Sequence, residues 1–173
     1  MKERIKALYG AGQLTAAGIS DAIARGWITG ADAAELMGEA AGLAAAKAAK
    51  IDQSKDALAK YLKANPLQWT DGEYYAITAE KQQQLASKIM AATMAQTTGT
   101  PYELKWNSTG DVCKAWTLAE LSTLAFAIDA RVTALVAYQQ TQEVAMRGAE
   151  TLDDLRAVTV DYDSVGGTDA AGG

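Results

Sequence analysis

The residue types that usually do chemistry are scarce in this sequence. No histidine occurs among its 173 residues, which removes the commonest general acid/base and the commonest transition-metal ligand. The single cysteine, Cys113, allows neither an internal disulfide nor a Cys-rich zinc site. It falls in a predicted strand, where a lone thiol reads as a small buried hydrophobe, and no imidazole exists to activate it. Glu143 with Glu150, or Asp153 with Asp154, have the residue types of a glycosidase pair. Abundance alone suggests them, and Asp153 and Asp154 are explained by a helix N-terminus, where negative charge is favourable. Asp161-Tyr162-Asp163 has the alternation of two calcium ligands with Gly166 in sixth place, but Gly172 stands twelfth, where a bidentate glutamate is needed. Gly10-Ala11-Gly12 has neither the spacing nor the preceding strand of a nucleotide loop. The sequence therefore assigns no catalytic residue, no cofactor-binding residue and no metal ligand.

Four tryptophans remain, Trp27, Trp69, Trp106 and Trp116. They could present a carbohydrate platform. Three of them lie in predicted hairpins, where aromatic cross-strand pairing is the ordinary role.

The bulk numbers narrow the class further. A net charge of −5 and an isoelectric point near 4.8 argue against nucleic acid, which demands clustered Lys and Arg. Here the cations are interspersed with Asp and Glu, as on solvated helix faces. At 49% hydrophobic the chain can bury one core or two small ones. No uninterrupted apolar run approaches the ~18 residues of a membrane span, and the opening Met1-Lys2-Glu3-Arg4 has no apolar signal core after it. The expectation is a soluble chain without a membrane span, made in the cytoplasm.

The elements that would hold these residues can be read from periodicity and punctuation. Lys2 to Tyr9 has helical spacing and stops at Gly10-Ala11-Gly12. Thr15 caps a second helix that carries Ile19 and Ile23 and ends at Gly26. Trp27 and Ile28 are expected to pin the unit, and Thr29 with Asp32 caps a third helix that ends at Gly38. Glu39 to Ala64 is an Ala-rich helix with Ile51, Leu58 and Leu62 close to a heptad seam, weakened near its start by Gly42 and stopped by Pro66. Asp71-Gly72 joins two β-prone runs and predicts a type I′ hairpin. Thr78 caps a helix to about Gln96 whose predicted buried side is Leu85, Ile89, Met90 and Met94. Tyr102, Leu104 and Trp106 alternate into a second hairpin turning at Asn107–Gly110. Thr117 with Glu120 opens the longest helix, buried through Leu121, Leu124, Ile128, Val132, Leu135 and Val136. Beyond Tyr138 its stripe turns polar, which predicts a solvent-facing or assembly-facing end. Thr151 with Asp154 caps a short helix, and the Gly- and Asp-rich tail is expected to be mobile.

The fold class expected is α+β and helix-rich: an N-terminal helical hairpin, an Ala-rich connecting helix, then hairpin–helix–hairpin–long helix with a small antiparallel sheet. The boundaries expected are 1–38, 39–64, 65–158 and a flexible 159–173. Candidate interaction residues are Trp27, Ile28, Trp69, Trp106, Leu58, Leu62 and Tyr138.

Two stretches carry a family resemblance. Ile5 to Gly12, Gly26-Trp27-Ile28-Thr29 and Leu36-Met37-Gly38 resemble the XkdX-like family of phage tail proteins, with a short helix, a Tyr- and Gly-bearing stop, a second helix, then Gly-Trp-Ile-Thr before an acidic helix. From Ile51 to Val158 the chain resembles a domain of unknown function found on phage tail-fibre and tail-fibre-assembly proteins. The residues that carry this second resemblance are Asn65-Pro66, Asp71-Gly72, Trp106, Thr117 to Leu121, Ile128 to Arg131 and Ala149 to Leu155. The resemblances imply a non-catalytic structural component of the virion tail, fibre- or baseplate-associated, whose partners are other phage tail proteins. The thin Ala/Leu seam and the polar distal end of the longest helix predict burial against other copies of the chain, a homo-oligomer, and the resemblance to fibre-related proteins implies a trimer. A tail-fibre assembly chaperone that leaves before maturation is the alternative, and a host-surface glycan-binding module, resting on the tryptophans, is the third.

Overall fold

The computed structural model describes residues 1–166. In chain order the elements are α1 (Lys2–Gly10), α2 (Ala16–Ala24), α3 (Gly30–Met37), α4 (Glu39–Ala64), β1 (Leu67–Gln68), β2 (Tyr74–Tyr75), α5 (Ala79–Thr98), β3 (Lys105–Trp106), β4 (Lys114–Ala115), α6 (Leu118–Gly148), α7 (Leu152–Ala157) and α8 (Asp163–Gly166). The helix-rich α+β class is the one expected. The β content is two separate two-stranded antiparallel ladders, β1–β2 and β3–β4, rather than one sheet.

Threonine starts the helices as the sequence indicates. Thr15 accepts from the Gly18 N–H, Thr29 from the Asp32 N–H, Thr78 from the Lys81 N–H, Thr117 from the Glu120 N–H and Thr151 from the Asp154 N–H. At Thr29, Thr117 and Thr151 the carboxylate three residues on returns the bond, so two orphan donors are satisfied together. Glycine ends α2. The Trp27 N–H reaches the Ala22 carbonyl and the Gly26 N–H reaches that of Ile23, with Gly26 at φ +69°, a paired closure that only an αL residue permits.

The described residues form two compact units, 1–57 with 138–161, and 58–137 with 162–166. This is not the expected division at 38 and 64. In the first unit Ile5, Ile19, Ala22, Ile28, Ala33 and Ala45 form one core cluster, and Ala46, Ile51, Met146, Ala149 and Leu155 form a second. The end of α6 and α7 thus complete a helical body begun a hundred residues earlier. Lys47 Nζ donates to the Arg147 carbonyl at 2.8 Å, and Lys50 Nζ to that of Leu155. Gly42 is buried here, and a Cβ on it would strike the Ala34 backbone, so this glycine permits α3 and α4 to approach.

The polar end expected on α6 is neither solvent-facing nor available for assembly at Gln139. That residue is buried, and its amide donates to Ser54 Oγ and to Glu143 Oε2, both at 3.2 Å. Trp27 does not pin the unit. It is 47% exposed with the Arg25 guanidinium over its ring, and Ile28 alone is buried.

The second unit packs both hairpins and α5 against α6. Its core is Leu67, Tyr75, Ile77, Leu85, Leu104, Trp106, Leu121, Leu124 and Ile128, with Ala92. Full burial of a large apolar side chain stabilises by ~1.5–3 kcal/mol, which offsets part of the conformational entropy lost on folding. The first hairpin closes differently from the type I′ expectation. Glycines supply every positive φ among the described residues, so Asp71 has a negative one. The Gly72 N–H donates to the Trp69 carbonyl and the Trp69 N–H to that of Glu73, which makes a three-residue loop closed by one left-handed glycine. Cys113 lies in the second hairpin's loop and is exposed, against the buried expectation, because β4 begins only at Lys114. In the expected flexible tail, Val160 packs on the first unit's core and Tyr162 is buried. The remainder of that tail, 167–173, lies outside the described residues.

Candidate functional site

Helices α5 and α6 of the second unit expose large apolar side chains to solvent. The apolar residues of α5 fall on more than one face. Leu85 is buried and Ile89 half-buried, but Met90 and Met94, expected inside, are 62% and 61% exposed. Ala92 and Ala95 take the inner positions instead, because small side chains let the helix sit closer to its neighbours. Phe126 projects from α6 at 74% exposure. Between the helices runs a recess of about 480 Å³ whose lining includes Leu85, Ile89, Met90, Ala125, Phe126 and Asp129. Charge is depleted around it. From Ile89 to Thr98 α5 has no charged residue, and from Leu121 to Ala137 α6 has only Asp129 and Arg131, in a chain that is 21% charged. Scarcity of charge with Met and aromatic enrichment is the composition of a buried interface centre rather than of a solvated face.

Helix α6 is also, among the described residues, long and apolar enough to cross a membrane by length and composition. Asp129 and Arg131 interrupt it, and Leu121, Leu124 and Ile128 are committed to the second unit's core.

A second concavity, about 440 Å³, opens where the two hairpins meet the start of α6. Trp69, Asp71, Lys114, Trp116, Glu120 and Thr123 contribute to its wall. Trp69 and Trp116 are half-buried, and Trp116 meets the Tyr75 ring edge-on with centroids 5.7 Å apart. Asp71 accepts from the Tyr75 hydroxyl at 2.8 Å and from the Glu73 N–H at 3.0 Å. Burial, then the bond to Asp71, pushes the Tyr75 phenol up from its ordinary value. Glu120 accepts from the Thr117 N–H and hydroxyl through Oε2, which holds its carboxyl below the usual glutamate value.

The other expected interaction residues are mostly consumed internally. Trp106 is 6% exposed, inside the core, with Lys81 Nζ 5.3 Å from its ring centroid. Ile28 is core. Leu62 packs against the second unit's cluster and Leu58 is half-buried, so the α4 seam is largely spent within the chain. The Tyr138 hydroxyl accepts from the Asp161 N–H at 3.0 Å. Trp27 is exposed, and Trp69 lines the hairpin cleft. Three of the four carboxylates weighed as glycosidase pairs, Glu143, Asp153 and Asp154, are structurally engaged. Glu143 bonds Arg147, Gln139 and Lys55, which together hold it down at about 2, Asp154 caps α7, and Asp153 pairs with Arg156. No group of three or more metal-ligating side chains gathers among the described residues.

Met90, Met94 and Phe126 escaped the sequence reading because α5 carries apolar residues on two faces, and a periodicity does not say which face is covered. Trp69 and Trp116 were among the tryptophans weighed as a carbohydrate platform, but Asp71, Lys114 and Glu120 escaped because the cleft joins residues about fifty apart through two separate turns. No family model matches the chain, and neither a curated protein nor a solved structure matches it.

Proposed function

We propose that this protein is a non-catalytic structural component of a phage tail, a fibre- or baseplate-associated adaptor that works by protein–protein assembly and resides in the virion. The observation that carries the assembly role is the charge-depleted face with Met90, Met94 and Phe126 outermost. Its assignment to a tail rests on the resemblance of residues 5–38 and 51–158 to phage tail proteins. The occupant of the face is a second copy of this chain. One surface carries both projecting side chains, Met90 and Phe126, and the recess beside them, so each copy supplies the knob that the other's recess takes.

Detection of the chain at fixed stoichiometry in purified particles tests the tail role, and absence from mature virions refutes it in favour of an assembly chaperone. Light scattering on the isolated chain tests the occupant. The wild type is expected as an oligomer and Phe126→Asp as a smaller species. A monomeric wild type at micromolar concentration removes the self-association.

A further inference from the structure

We infer that the cleft between the two hairpins is a binding site for a neutral saccharide, with Trp69 and Trp116 as its apolar wall and Asp71 and Glu120 as its hydroxyl acceptors. The volume, about 440 Å³, falls in the ~300–1,000 Å³ range of small-ligand clefts. A pyranose ring offers two chemically different surfaces, an apolar array of C–H bonds and a rim of hydroxyls. The electron-rich face of an indole suits the first. An ionised carboxylate, which accepts only, suits the second. Both surfaces are present on one wall here.

The acceptors are also pre-positioned. Asp71 is fixed by the Tyr75 hydroxyl and the Glu73 N–H. Glu120 is fixed through Oε2 by Thr117, and its Oε1 accepts no hydrogen bond within the described residues. A held carboxylate loses little rotamer freedom when a ligand arrives, which favours binding of a weakly interacting sugar.

The charge of the lining selects the ligand class. Two carboxylates repel phosphorylated, sulfated or sialylated ligands. A quaternary ammonium also suits indoles and carboxylates, but the Lys114 ammonium stands in the same wall and opposes it. The ligand left is uncharged and rich in hydroxyls. This inference stands apart from the tail role, since it concerns the isolated chain and would survive absence from particles.

The test is a titration of the full, ¹⁵N-labelled chain with neutral oligosaccharides ending in glucose, galactose or N-acetylglucosamine, with a sialylated oligosaccharide, and with choline. The indole N–H resonances of Trp69 and Trp116 are the readout. A neutral oligosaccharide is expected to shift both. Two variants leave the core alone. Thr123→Arg fills the cleft from an exposed helix position, and Glu120→Gln keeps a side chain able to cap α6. Each is expected to weaken binding on the order of tenfold or more, with the helical content of the folded chain retained. Silence of both indoles toward every neutral sugar, response only to the sialylated ligand or to choline, or undiminished binding in both variants overturns the inference.

Discussion

Gly42→Ala sets two effects of opposite sign against each other. Gly42 lies inside the 26-residue helix α4. Helix propensity alone makes alanine better there by ~1 kcal/mol. Packing says the reverse, because the new Cβ would meet the Cα and N of Ala34 and, at 2.9 Å, the carbonyl carbon of Ala33. These are backbone atoms of α3, which cannot rotate aside as a side chain can. Relief requires moving α3 away from α4 and loosening the cluster of Ile5, Ile19, Ile28, Ala33 and Ala45. Overpacking of this kind costs ~1–3 kcal/mol, occasionally more. With backbone on the receiving side the upper half applies, so the net change is a loss of ~1–2 kcal/mol after the propensity gain. That is a large share of the ~5–15 kcal/mol typical of a domain. Gly10→Ala is the control. It too is helical, but nothing lies within 4 Å of its added Cβ, so it should gain up to ~1 kcal/mol. Urea unfolding with amide exchange on α3 and α4 separates the two. If Gly42→Ala stabilises as much as Gly10→Ala does, the close approach of α3 and α4 is wrong.

Two further outcomes are expected. Gln139→Leu should cost ~1–2 kcal/mol by removing one hydrogen bond from Glu143, which keeps Arg147 and Lys55, and one from the buried Ser54 hydroxyl, which still donates to the Ile51 carbonyl; adding Ser54→Ala should recover part of that loss in the same urea assay, and strict additivity would deny the coupling. Asp32 and Glu143 are both held down at about 2, Asp32 by Lys2 and the Thr29 cap, Glu143 by Arg147 and Gln139. Since folding depresses both values, their contribution is complete above the ordinary carboxylate values of 3.8 and 4.5 and is lost as pH falls towards 2. Circular dichroism should therefore show acid loss of helix in that window and little change between pH 5 and 8, where a chain without histidine has no ordinary side chain to titrate; a transition centred near pH 6 would contradict this.

The local features were legible before the structure, and the reason is range. A threonine cap needs only the next three residues, and Thr15, Thr29, Thr78, Thr117 and Thr151 all cap as read. The stripe Leu121, Leu124, Ile128, Leu135 was legible for a similar reason, since one helix carries the whole pattern. What escaped depends on partners distant in sequence. Gln139 reads as a surface residue until Ser54, eighty-five positions away, is set beside it. The division of the chain depends on Lys47 and Lys50 meeting the segment 147–155. Met90 and Ala92 trade places because burial on α5 is decided by how closely other elements approach, which hydropathy does not record. The turn at Asp71-Gly72 was placed correctly but mistyped, since the same dipeptide closes both two- and three-residue loops.

The most direct test of the tail role is quantitative mass spectrometry of density-purified phage particles that carry this gene. The expected result is peptides of this chain at a constant ratio to known tail proteins, in particles and in isolated tails alike. Peptides found in the infected lysate but absent from mature particles and tails would contradict a structural role and leave a protein that acts, if at all in tail assembly, only before the virion is complete.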